Sequence, residues 1–305
     1  ATRLPSTGLF IGVWVVGGLY ALLGALSLAE PGAMIARSGG QYSIVHRALG
    51  PYPGFIVGWS DWLSTAASLA LGGMVFGEYA EPLLPGLPGG RVMIACGMAL
   101  LFGVMQWRGL RIGDIAQQIL SALKALAFGV LIVACLTLPV PATDATTAPA
   151  AALLPVGAAL FTALVVALQS VIYTYDGWTG PLYFGEETVD PGRSVPRAMV
   201  GGVLVVILIY VLLNVAFVRV LGVTRMAGDP FVAASAGHVL FGDRGDLLIR
   251  LLVLGSILGG MNAITLMVSR IPLAMSRDGL MPGAFDTVNA GGTPTVAHWV
   301  SIGMA

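Results

Sequence analysis

The chain has 305 residues, 57% of them hydrophobic and 10% charged, and its 15 Lys and Arg balance 15 Asp and Glu. A soluble domain carries about 25% charged residues, so the composition excludes an ordinary soluble protein, and zero net charge speaks against a nucleic-acid partner. Recurrent apolar runs and a mean hydropathy of +0.89 identify an all-α, multi-pass integral membrane protein.

In chain order, spans are predicted at residues 8–29, 54–79, 91–107, 115–138, 153–187, 198–221 and 247–275, with an incomplete one at 295–305. Each must be helical, because lipid satisfies no backbone N–H or C=O group. A Pro-, Ala- and Thr-rich loop covers 139–152, and 223–246 is a longer polar connection. Cys96 and Cys135 both fall in apolar runs and read as small buried hydrophobes, not as a disulfide or a metal pair. The chain starts on Ala and stops inside TVAHWVSIGMA, so both ends read as cut. Small residues at four-residue spacing, such as Gly8 and Gly12 or Gly255, Gly259 and Ala263, read as helix-packing faces.

Arg37, Arg47, Arg108, Arg111, Arg193 and Arg197 fall in alternate loops, whereas the opposite side carries Arg3 and Arg91 before the 223–246 connection. The basic side is cytoplasmic by the positive-inside rule, as expected for a plasma (inner) membrane protein. The 223–246 connection places Arg225 and Arg244 outside, beside Asp229, Asp243 and Asp246.

Polar groups at membrane depth mark candidate sites. Lys124 lies nine residues into its span, or ~14 Å deep in a core about 30 Å thick. It suits a proton-linked role, the structural alternative being a buried pair with a carboxylate. Asp61, flanked by Trp59 and Trp62, is either functional or paired with an inner-loop Arg. Asn262 could hold an ion, or more commonly bond between helices. Ser64, Thr65 and Ser68 form a polar row whose hydroxyls can also bond their own helix.

The segment YTYDGWTGPLYFGEE at 173–187 interrupts an overlong apolar run. Gly177, Gly180 and Pro181 break a helix, and irregular backbone at that depth is tolerated only where protein or a cavity surrounds it. An outer half-helix should end near Tyr175, its free carbonyls suiting a cation. An inner half-helix should begin near Asp176, which could cap it. A discontinuous helix at the midplane is the pattern of a secondary-transporter binding site.

Three blocks carry a family resemblance: GALSLAEPGAMIARSGGQYSIVHRALGP (24–51), YDGWTGPLYFGEETVDPGRSVPRA (175–198) and GSILGGMNAITLMVSRIPLAMSRDGLMP (255–282). They resemble the second, sixth and eighth helices, with their following loops, of the amino acid–polyamine–organocation (APC) superfamily. The likeness is greatest to its L-type amino acid transporter-like permeases. The resemblance implies a five-plus-five inverted-repeat (LeuT-type) fold, here helices 2–8 and the start of helix 9, in a single transporter domain. It implies secondary active transport of amino acids by alternating access, with no enzymatic activity, no metal and no cofactor, and with proton coupling or exchange expected over sodium. It implies substrate binding by Tyr173 (as aromatic gate), Thr174, Tyr175, Asp176, Gly177 and Trp178, joined by Ser64 and Thr65. Lys124, Asn262 and Gly259 would form a coupling, cation-like site. Partners are the substrate and the bilayer; a partner subunit stays open.

Pro31 and Ala36 stand where the family more often has Leu and Pro, which should change only the inner end of the first span. Asp176 stands where some L-type members have Gly, so a cationic amino acid or polyamine is the alternative substrate. A non-transporting fragment or sensor with the same fold is a further alternative. An intramembrane aspartyl protease needs a second motif, Gly-x-Gly-Asp; Tyr175–Asp176 supplies the first half, but Ala227–Asp229 and Gly242–Asp243 do not supply the second.

Overall fold

The computed structural model describes residues 4, 6–84, 89–140, 156–229 and 231–305. The expected loop at 139–152, the start of the span at 153–187, and Arg3 therefore lie largely or wholly outside the described residues. The fold is α-helical, with no named β-strand among the described residues and two isolated β-bridges, Ser38 with Phe184 and Val288 with Pro294. The helices are α1 (Thr7–Met34), α2 (Gln41–Leu49), α3 (Pro51–Ala80), α4 (Gly90–Trp107), α5 (Leu110–Thr137), α6 (Ala158–Tyr175), α7 (Pro191–Met226), α8 (Val232–Phe241), α9 (Asp243–Val268), α10 (Arg270–Arg277) and α11 (Thr295–Met304).

Among the described residues six helices are long and apolar enough to cross a membrane, those of α1, α4, α5, α6, α7 and the α9–α10 pair. The protein is a multi-pass integral membrane protein. α3 is long enough, at 30 residues, but is not one of these six, because Ser60, Asp61, Ser64, Thr65, Ser68 and Glu78 dilute its apolar row. Between α2 and α3 the chain turns at Gly50, whose φ of 92° favours glycine, and Pro51 then starts the helix at a position that needs no N–H donor. The predicted span at 247–275 is interrupted at Ser269. Pro272 has no N–H to give the Val268 carbonyl, which loosens the ladder there.

The chain forms two compact units. The first comprises Ala1–Ser27, Ala125–Trp178 and Val200–Leu252; the second comprises Leu28–Lys124, Thr179–Met199 and Val253–Ala305. In the first unit, α1 offers glycine to its neighbours. A Cβ on Gly17 would lie 2.6 Å from Val171, and one on Gly18 2.7 Å from Ile207. Glycine there lets α6 and α7 approach α1 closely. At the far end of α5, the Arg219 guanidinium donates to the Cys135 carbonyl, satisfying one of the orphan acceptors of that helix terminus.

In the second unit one apolar cluster gathers Tyr42, Trp62, Ala66, Tyr183, Val268, Ile271, Ala274 and Met275. A second gathers Leu69, Phe102, Met261 and Ile302. Beside the first cluster lies an ionic lattice. Arg270, 2% exposed, makes a two-pronged pair with Glu187 at 2.9 and 3.0 Å, and its guanidinium lies 4.5 Å from the centre of the Phe184 ring. Arg277 bonds Glu186 and Asp286, each at 2.8 Å. Asp278 accepts from Arg37 at 3.0 Å and from the Tyr42 hydroxyl at 2.9 Å. Burial, then the Asp278 carboxylate, push the Tyr42 hydroxyl well above the usual phenol range.

Candidate functional site

The helix break is built on the first unit. α6 ends at Tyr175; Asp176 is extended (φ −62°, ψ 152°), and Gly177 follows with φ 114°. Asp176 N–H closes a tight turn on the Tyr173 carbonyl at 3.2 Å, and the next backbone hydrogen bond along the chain runs from Leu182 to Thr179 at 2.9 Å. The carbonyls of Tyr175, Asp176, Gly177 and Trp178 thus fall outside any helical ladder, at the negative end of a helix dipole.

No inner half-helix begins at Asp176. The chain continues in two short 3-10 helices, Gly180–Tyr183 and Gly185–Glu187. Gly177, Gly180, Pro181 and Gly185 together hold helix propensity too low for an α-helix to restart. Thr179, not Asp176, stands at the N-cap of the first 3-10 helix, without a side-chain cap bond. Asp176 itself is exposed.

Three aromatic rings buttress the helix end. Trp14 meets Tyr175 and Tyr210 edge-on, with centroids 6.1 and 5.7 Å away, and the two tyrosines are 5.1 Å apart. The Tyr175 hydroxyl donates to the Trp14 carbonyl at 3.1 Å, and the Tyr210 hydroxyl reaches toward the Thr174 carbonyl at 3.5 Å. Tyr175 is therefore a buried anchor, 4% exposed, whereas Tyr173 is 70% exposed. Trp178 lies against α1 where Gly24 leaves room; a Cβ there would come within 2.7 Å of the indole. The Thr174 hydroxyl turns back to the Ser170 carbonyl at 2.9 Å.

The segment after the break belongs to the second unit and is pinned there. The Tyr183 hydroxyl donates to both Asp61 oxygens, at 2.9 and 3.0 Å. Asp61 thus has a phenol among its partners. Ser64 and Thr65 lie on α3 in the same unit, Ser64 exposed and Thr65 half-buried. The Ser68 hydroxyl bonds the Ser64 carbonyl at 2.8 Å, the back-bonding expected of a helical serine.

Lys124, Gly259 and Asn262 come together on one seam of the second unit. A Cβ at Gly259 would be 3.6 Å from Lys124 Nζ. Among the described residues no carboxylate pairs with Lys124. Asn262 is fully buried, donating to the Gly113 carbonyl at 3.0 Å and Gln117 Oε1 at 2.9 Å, while Gln106 Nε2 donates to its Oδ1 at 3.0 Å. Sequence reasoning missed Gln106, Gln117, Trp14 and Tyr210. The two glutamines carry a signal, uncharged amides inside apolar runs; the two aromatics carry none. No cluster of metal-binding side chains occurs among the described residues.

The family model described as amino acid permease matches residues 1–305. The b(0,+)-type amino acid transporter 1 of Homo sapiens is 29% identical over 280 residues, covering 88% of this chain and 55% of the relative. The serine/threonine exchanger SteT of Bacillus subtilis is 28% identical over 274 residues, covering 89% and 60%. The large neutral amino acids transporter small subunit 2 of Homo sapiens is 28% identical over 289 residues, covering 93% and 54%. The chain spans about half the length of these curated relatives.

Proposed function

The chain belongs to the amino acid permease family, and from that premise we propose that the protein moves amino acids across the membrane by alternating access. The observation that carries the reading is the interruption after Tyr175, where an extended Asp176 and a Gly177 with φ of 114° turn carbonyls away from the helix. Such carbonyls, at the negative end of α6, suit a substrate ammonium group. Tyr173, exposed at the same helix end, closes over the substrate as its aromatic gate. Lys124 couples binding to movement through its charge; it is the lone Lys of the chain, lying at midspan of α5 without a carboxylate partner among the described residues.

A cationic side chain on the substrate is the second reading, favoured by the exposed Asp176 carboxylate one residue beyond the helix end. Both readings are tested by equilibrium binding to the full-length protein in detergent, with neutral and cationic amino acids as ligands. Tyr173→Ala should weaken binding about tenfold, the loss of one aromatic contact face. Unchanged affinity would remove Tyr173 from the site. Asp176→Asn should weaken only the cationic ligands if the second reading holds.

A further inference from the structure

α5 and α9 form a seam whose register can be read residue by residue. At Gly259 a Cβ would lie 3.5 Å from Leu120 Cβ and 3.6 Å from Lys124 Nζ. One turn further along α9, Asn262 Nδ2 reaches the Gly113 carbonyl and Gln117 Oε1. One turn further still, Leu266 Cδ2 lies 3.1 Å from where a Gly113 Cβ would be. Rising numbers on α9 meet falling numbers on α5, so the two helices pack antiparallel. From α4, Gln106 Nε2 donates to both the carbonyl and Oδ1 of Asn262, at 2.9 and 3.0 Å. Gln106 is itself 1% exposed, and its own carbonyl accepts from the Thr293 hydroxyl at 2.7 Å.

This arrangement uses up the Asn262 amide. Both of its N–H hydrogens are donated, and its oxygen faces an N–H donor. An oxygen that faces donors is a poor cation ligand, so the expected ion-binding role does not fit. We propose that Asn262 is a positioning residue: its amide locks α9 in register on α5 and so fixes Gly259 under the Lys124 ammonium. The chemistry favours the assignment, because a three-way amide junction between α4, α5 and α9 has one satisfied register and leaves buried donors unpaired in any other. The link to transport rests on Lys124 being the coupling group; the register lock does not.

Two measurements separate these claims. The first is disulfide closure between Leu120→Cys and Gly259→Cys in the full-length protein carrying Cys96→Ser and Cys135→Ala. A Cβ separation of 3.5 Å is within the range for a disulfide, so oxidation should consume both thiols rapidly. Asn262→Ala should slow closure by about tenfold or more, the loss expected when buried partners are left unsatisfied. Where Asn262→Ala does not fold, Gln117→Leu, at a half-buried position, removes one arm of the junction and should slow closure about threefold. Unchanged closure in the folded variants overturns the register lock. The second measurement is the pH profile of amino acid uptake into proteoliposomes without the added cysteines. Asn262→Ala should displace the profile when Lys124 is present and leave it unmoved in a Lys124→Ala background. An equal displacement in both backgrounds overturns action through Lys124. Slowed closure with a pH profile that Lys124→Ala itself does not alter would retain the register lock and reject the coupling reading of Lys124.

Discussion

Glu187→Gln removes the carboxylate that neutralises a buried guanidinium. Arg270 is 2% exposed, while Glu187 is 39% exposed. Breaking a fully buried pair costs about 3–5 kcal/mol, and an exposed pair is worth ~0–1 kcal/mol. The partial exposure of Glu187 places the expected loss between these, at about 2 kcal/mol. At about 2 °C per kcal/mol for a chain of this size, thermal unfolding in detergent, followed by tryptophan fluorescence, should move down by ~4 °C. The double variant Glu187→Gln with Arg270→Met should recover part of that loss, because the cation that needed a partner is gone. A Glu187→Gln midpoint equal to wild type, or a double variant at the sum of the two single losses, would refute the reasoning.

The same contacts carry other expectations. Gly24→Ala sets a methyl 2.7 Å from the Trp178 indole; it should cost about 1–3 kcal/mol by overpacking and weaken substrate binding, as read by thermal unfolding and ligand titration. The Tyr42 hydroxyl is held protonated in the folded protein by burial and Asp278. In the unfolded chain it ionises near pH 10. Its contribution to stability is thus complete below that pH and falls as pH rises above it. Tyr42→Phe should therefore flatten part of the alkaline fall in unfolding temperature, measured from pH 8 to 11; an unaltered fall would remove Tyr42 from it.

Much of the fold is legible from hydropathy, because lipid forces apolar runs into helices. The interruption after Tyr175 is legible for a similar reason: Asp176, Gly177 and Pro181 are costly in a continuous helix at that depth. The path of the chain beyond the interruption is harder to read. An inner half-helix is expected to start near Asp176, yet the chain takes short 3-10 turns whose anchors, Asp61 and Arg270, are 122 and 83 residues from the side chains they hold. Arg270 lies near the end of the predicted 247–275 span, and its burial rests on Glu187, 83 residues away, together with the nearby Leu266 carbonyl. Asn262 is recognisable as a midspan amide, but its role depends on Gln106 and Gln117, which are 156 and 145 residues away. No local pattern encodes such pairings. Aromatic contacts have the same character: Trp14 and Tyr210 look like ordinary apolar residues until α1 and α7 bring them to the end of α6.

The central claim is that the open backbone turn after α6 holds the substrate. Gly177 tests it cleanly: nothing lies within 4 Å of an added Cβ, so Gly177→Ala perturbs only a φ of 114°. That conformation costs about 1–3 kcal/mol in a residue with a side chain. Uptake of labelled amino acids into proteoliposomes by the full-length protein should be saturable, and Gly177→Ala should weaken the apparent substrate affinity about tenfold in protein that remains folded by its unfolding temperature. Wild-type affinity in Gly177→Ala, or no saturable uptake of any amino acid by the unaltered protein, would contradict the account.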